Sequence, residues 1–204
     1  MHFFTKISEI QKAYLNDYCQ KKNNTVFYGL HPDLNLFARH TLFAPLTDEL
    51  IQEHLVKPYK NTFPEQYIEF LKHTNGMSLF GVRLYKGKKF YYAPRMLQVY
   101  GLPLRKILEA PYNMVDQPEP YDLRVEDLDR HDDIPNSWLK CGSYIKDGDF
   151  DTSFDLFIDT ESCHVHSCKR KDNKIIDEWS DLDNCFCCLF DMLKNTKEEY
   201  NLTK

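Results

Sequence analysis

The chain has 204 residues, enough for one domain with a full core or for a core domain plus an extension. Aromatic side chains make up 14% of it, and 31 Asp and Glu outnumber 26 Lys and Arg for a net charge of −5. That composition argues against disorder over most of the length and against the broad basic footprint of a sequence-independent nucleic-acid binder, so no nucleic-acid partner is expected. No apolar run approaches the ~20 residues that span a bilayer, which predicts a soluble, cytoplasmic protein with no membrane partner. Seven cysteines cannot all pair within one monomer, and a reducing compartment would keep them as thiols.

From the amino terminus, Phe3, Ile7, Ile10, Tyr14 and Leu15 or Tyr18 recur at near-helical intervals, predicting an amphipathic helix over residues 3 to 22 that Asn23-Asn24 breaks. Between Thr25 and Pro45 the apolar residues lack a clean period and His31-Pro32-Asp33 signals a turn, so the segment reads as irregular. Thr47 offers a hydroxyl to an orphan N–H ahead of Leu50, Ile51, His54 and Leu55, a capped helix that Lys57-Pro58 ends. The strongest local signal is Phe63 to Phe80. Pro64 suits the first helical turn, Glu65 places negative charge at the positive end of the dipole, and Phe63, Tyr67, Phe70 and Leu71 share one face. Asn75-Gly76 stops that helix, with Gly76 suited to a left-handed conformation.

Strands are expected at 78 to 85 and 89 to 92 across Lys86-Gly87-Lys88. There Arg83, Lys86, Lys88 and Lys89 interleave with Tyr85, Phe90, Tyr91 and Tyr92. This pattern superficially suits base stacking, but a half-buried hairpin in an acidic chain explains it better. Arg95 to Glu109 reads as a helix, or a helix and a strand, interrupted at Gly101-Leu102-Pro103. From Ala110 to Asp133, Pro111, Pro118 and Pro120 and a run of carboxylates that includes Glu119, Asp122, Glu126 and Asp127 make a long connection with a negative face. Residues 138 to 146 and 153 to 160 read as strands across Asp147-Gly148-Asp149, and 163 to 170 and 174 to 179 as another pair across Lys171-Asp172-Asn173. Ser180 or Asp181 then opens a closing helix with Leu182, Cys185, Phe186, Leu189 and Leu193 on one face. This order predicts an α+β fold in which helices pack on one side of a mostly antiparallel sheet.

Pro64, Tyr67, Phe70, Leu71, Asn75 and Gly76 resemble the P-x-x-Y-x-x-F-L-x-x-x-N-G core of the SUKH (SMI1/KNR4-like) superfamily. The resemblance continues through Ser78, Leu79 and Phe80 into Leu84-Tyr85. It returns at Ile134-Pro135, at Cys141 to Tyr144, at Phe157-Ile158-Asp159 and in the closing apolar helix. It implies the same architecture for residues 45 to 195, leaving residues 1 to 44 as an N-terminal extension and 196 to 204 as a polar tail.

Chemistry-bearing patterns are sparse. In Cys163-His164-Val165-His166-Ser167-Cys168, strand alternation puts His164, His166 and Cys168 on one face, three zinc-type ligands that Cys185, Cys187 or Cys188 would complete. The spacing matches no established Cys-x-x-Cys pair, and buried structural cysteines are the commoner outcome. Asp147-Gly148-Asp149-Phe150-Asp151 begins like a calcium loop but has Thr152 and Ile158 where Gly and Glu are needed, so a hairpin turn is the better reading. No phosphate-binding loop, nucleophile elbow or catalytic-cysteine signature is present, and no cofactor is expected. The resemblance implies a non-enzymatic immunity protein that neutralises a cognate protein toxin, often a nuclease or deaminase. A nuclease's basic cleft would meet Glu119, Asp122, Glu126, Asp127, Asp149 and Asp151. An intracellular regulatory or scaffold module is the alternative the superfamily also implies, and a metal-dependent hydrolase built on His164, His166 and Cys168 is a third.

Overall fold

The computed structural model describes residues 1–13, 19–21, 24–30, 37–57, 63–81, 96–102, 134–146 and 152–195. Among these residues nine strands form one antiparallel sheet in which each strand pairs with the next in sequence: β1 (Cys19–Lys21), β2 (Asn24–Leu30), β3 (Phe37–Leu42), β4 (Met77–Gly81), β5 (Met96–Val99), β6 (Trp138–Ile145), β7 (Ser153–Asp159), β8 (Val165–Lys169) and β9 (Ile175–Trp179). The described helices are α1 (His2–Ala13), α2 (Asp48–Ile51, continued by a π-type turn over Gln52–Val56), α3 (Glu65–His73) and α4 (Leu182–Asn195). None of them is long and apolar enough to cross a membrane.

The helices share one side of the sheet because their apolar stripes meet there. Phe3 of α1 lies 5.4 Å from Phe186 and 5.8 Å from Phe190 of α4, and Phe70 of α3 lies 5.4 Å from Phe186. Sheet residues complete this core from below: Met77, Leu79, Leu97, Val99, Leu139, Leu156, Ile158 and Val165, all buried. Helix ends are satisfied by side chains from other helices, so capping also fixes tertiary geometry. The Asp183 carboxylate of α4 accepts the His2 and Phe3 N–H groups at 2.9 and 3.0 Å, and Gln66 of α3 accepts from Leu182 N at 2.9 Å. Lys6 of α1 pairs with Asp191 of α4.

The strong α3 signal becomes a clamp onto the sheet. Tyr67, Phe70 and Leu71 are fully buried, and the Tyr67 hydroxyl donates to Tyr100 O at 2.8 Å. Asn75 is also fully buried, and its amide donates to Leu102 O at 2.8 Å while accepting from Leu102 N at 2.7 Å. Gly76 has φ +92, and a Cβ there would sit 2.8 Å from Val99 O; a Cβ on Gly101 would sit 2.2 Å from Asn75 O. Side chains are excluded where the α3–β4 turn crosses the end of β5.

Two sequence expectations are corrected. The helix over residues 3 to 22 ends at Ala13, and Cys19–Lys21 is a strand. The segment from Thr25 to Pro45, read as irregular, contributes β2 and β3, because their backbone partners lie on neighbouring strands rather than in a local period. Met96–Val99 within the ambiguous 95 to 109 stretch is a strand paired on both sides, by β4 and β6. The expected boundary at 44/45 falls between β3 and α2, and β3 hydrogen-bonds to β4 across it. Residues 82 to 92, all of 110 to 133 and the 147 to 149 turn lie outside the described residues.

A bulge explains why neighbouring Leu79 and Phe80 both enter the core. β4 advances from Ser78 to Gly81 while β3 advances only from Thr41 to Arg39. Phe80 takes φ 61, its N–H donates to His40 Nδ1 at 3.3 Å, and its ring lies 5.4 Å from Phe190. Replacing Asn75 with Ala strands both backbone groups of Leu102, so equilibrium urea unfolding is expected to show a loss of about 2–4 kcal/mol with the denaturant slope unchanged. A loss below about 0.5 kcal/mol would show that the clamp is dispensable.

Candidate functional site

Strand register lays out the face away from the helices. Ser78, Gln98, Ser143, Asp155 and Cys168 stand opposite one another across β4 to β8, and Lys140, Phe157, His166 and Glu178 form a second row across β6 to β9. Asp155 is buried and accepts from Lys140 Nζ at 2.7 Å and from Arg170 Nη2 and Nε at 2.7 and 3.2 Å. Two cations on one carboxylate satisfy its charge in place, which suits a structural tie between β6, β7 and the end of β8.

The histidine pair lies at the other end of β8. The β7–β8 turn is built by Asp159, whose carboxylate accepts from Ser162 Oγ at 2.7 Å and Glu161 N at 3.0 Å. Burial works against the Asp159 charge, but hydrogen bonds from Ser162, Glu161 and Ser137 outweigh it and hold the carboxyl below its ordinary range. Cys163 takes φ 65 in that turn, outside the strand in which alternation had set it opposite His164. His164 Nδ1 lies 2.6 Å from Glu178 Oε1 of β9. His166 stacks flat on Trp138, with ring centroids 4.0 Å apart and planes at 8°. It is buried, and its Nδ1 has no hydrogen-bond partner. Burial lowers its pKa; Glu178 and Asp159 oppose that shift and His164 reinforces it.

Two of the three expected ligands therefore neighbour one another, with the His164 and His166 rings 6.4 Å apart, but they are committed to different partners. Cys168 packs with Trp138 and Phe157, and burial pushes its thiol up to about 11. The candidates for a fourth ligand, Cys185, Cys187 and Cys188, all lie on α4 on the opposite side of the sheet, Cys185 in the core with Leu156 and Ile158. Among the described residues no group of three His, Cys, Asp or Glu side chains is placed to hold a metal ion. Nor do Ser162, His164 and Glu178 make a nucleophilic triad. The Ser162 hydroxyl donates to Asp159 and accepts from His164 N, so it does not meet the imidazole. Burial also raises the Cys141 thiol to about 12 and the Cys185 thiol well above its ordinary value, keeping both protonated at neutral pH.

The feature the sequence did not announce is the outer strand. Among the described residues β9 ends the sheet, and Ile175 to Glu178 are all exposed. Ile175 and Ile176 are 53% and 45% exposed, and among the described residues no other large apolar side chain is so open. β9 advances two residues, from Ile175 to Asp177, while β8 advances one, from Cys168 to Ser167, which makes Ile176 the extra residue of a bulge. Beta-branched residues in a short strand signal pairing, but edge position is set by topology. The partner-facing candidates Glu119, Asp122, Glu126, Asp127, Asp149 and Asp151 lie outside the described residues.

No family model, curated protein or solved structure matches the chain.

His166 supplies a pH test. Because its folded pKa is depressed below the unfolded value, its stabilising share is fully present above about pH 6.5 and is lost as the pH falls through that value toward the folded pKa. Urea midpoints at pH 7.5 and 5.5 are expected to fall less for His166→Gln than for the parent chain. Equal falls would remove His166 from the acid response.

Proposed function

We propose that the chain is a non-enzymatic immunity protein of the SUKH type that neutralises a cognate protein toxin with a basic surface. The observation that carries this reading is what the motif residues do: Pro64 precedes α3, Tyr67 and Asn75 bond the backbone of Tyr100 and Leu102, and Phe70, Leu71 and Gly76 fill or thread the same junction. The motif residues from Pro64 to Gly76 are spent on building a scaffold, which leaves the exterior for recognition. The chemistry of the interior agrees. Its thiols are held protonated, and its histidines are stacked or paired rather than aimed at a nucleophile. A net charge of −5 complements a phosphate-gripping toxin and speeds encounter at low ionic strength.

The decisive experiment expresses the chain with the secreted toxin encoded beside it and measures cell survival and inhibition of the purified toxin. Stoichiometric inhibition without turnover is expected, and inhibition that continues catalytically at substoichiometric protein would overturn the reading. Reversing Glu119, Asp122, Glu126, Asp127, Asp149 and Asp151 to Lys is expected to slow association by about 10-fold or more at low salt, with a smaller effect near 0.5 M salt. Unchanged association kinetics would place the toxin elsewhere on the surface.

A further inference from the structure

We propose that the β9 edge is the contact through which two copies of this chain associate, antiparallel and about a two-fold axis near Ile176. Three observations converge on that strand. It closes the sheet order, so among the described residues one of its sides has no strand neighbour. Its residues Ile175 to Glu178 are exposed, and the two most open large apolar side chains of the described residues are adjacent on it. Its charge is also dipolar along the strand.

That dipole follows from the register. β8 and β9 pair with Cys168 opposite Ile175 and Val165 opposite Trp179, so the β8–β9 turn flanks one end of the edge and the β7–β8 turn flanks the other. The first end carries Lys169, Lys171 and Lys174. Asp172 at that end is exposed and accepts the Lys174 N–H at 3.2 Å, so three lysines outweigh its one negative charge there. The second end carries Asp177, Glu178 and Asp181, with Asp159 and Glu161 on the adjoining turn.

A second copy run antiparallel about Ile176 places the basic end of each edge over the acidic end of the other. Lys174 then stands opposite Glu178, whose Oε1 lies 2.6 Å from His164 Nδ1, twice by symmetry, while Ile176 meets its own copy at the centre. A foreign partner would need the same dipolar pattern around an apolar centre, whereas a second copy has it by construction. The bulge at Ile176 interrupts a long regular ladder, so side chains carry most of the contact. A five-residue strand buries less than the ~1,200 Å² of a standard interface, which makes this a weak, salt-sensitive dimer.

Sedimentation equilibrium of the full chain over about 5 to 500 μM is the test, because the weak-interface class dissociates in that range. The average mass is expected to climb from the 24.3 kDa monomer toward twice that value at 50 mM salt and to climb less at 500 mM. Ile176→Lys is expected to remain monomeric with an unchanged thermal midpoint, since the side chain is exposed. Lys174→Glu and Glu178→Lys alone are each expected to weaken association about 10-fold or more, and the two together in one chain to restore it, since the swapped charges meet across the axis. Ile175→Lys serves as a second apolar disruption. A parent chain monomeric throughout, an Ile176→Lys variant that associates like the parent, or a double swap no better than either single change each overturns the proposal. The outcome is independent of toxin neutralisation, which the inhibition assay reads separately.

Discussion

Asn75 is fully buried between the end of α3 and the start of β4, and both ends of its amide bond the backbone of Leu102, 27 positions further along the chain. In an apolar surrounding neither group has water to fall back on, so the pairing is obligatory rather than merely favourable. The rest of the helix layer depends on it. The Thr74 hydroxyl lies 2.9 Å from Phe43 O and 2.6 Å from Gly76 O, Asn75 N donates to Ala44 O, and Leu46 N donates to Leu71 O. The turn after α3 is thus tied to the chain entering α2 and to the chain leaving β5. With α3 held at that angle, Phe70 reaches Phe186, and α4 can close over the sheet with its amino terminus against Gln66.

The two faces of the sheet use different physics. Toward the helices, Leu97, Val99, Leu156 and Ile158 make a conventional apolar floor, with a polar inclusion at its margin where Ser167 Oγ accepts the Asp177 N–H at 3.2 Å. On the other face, an ordered polar row culminates in Asp155 held between Lys140 and Arg170, beside an aromatic patch of Trp138, Phe157 and the His166 ring. A buried carboxylate between two cations gives the strands a fixed register, because sliding by one residue would strand its charge. The same logic keeps reactive groups quiet. Burial holds the Cys141 and Cys185 thiols protonated, and the His166 ring lies stacked on Trp138.

The parts that could be read from residue order were those whose structure is local. Thr47, Pro64 with Glu65, Asn75-Gly76 and Asp181 marked real helix ends, and the caps form as hydroxyl and carboxylate chemistry predicts: Thr47 Oγ1 accepts from Leu50 N at 3.4 Å and Asp181 Oδ1 from Asn184 N at 2.8 Å. The last four strands were also legible, because each pair brackets a turn-forming cluster. β2, β3 and β5 were not, since nothing in their local pattern separates a strand from irregular chain, and only hydrogen bonds to neighbouring strands give them their form. In the same way Cys168 and His166 shared a face as alternation required, yet Trp138 and Phe157 had already claimed the space a metal would need.

Sequence alone determined the capped helix ends, the buried stripes of α3 and α4, the acidic balance and the α+β class, because capping, helical periodicity and net charge act between residues close along the chain or need no neighbours at all. Tertiary structure decided which strand became the edge, which carboxylate was trapped between cations, and which two isoleucines were left to solvent. Those outcomes depend on the partner each backbone hydrogen bond finds, and for a strand that partner is supplied by another segment rather than by its own sequence.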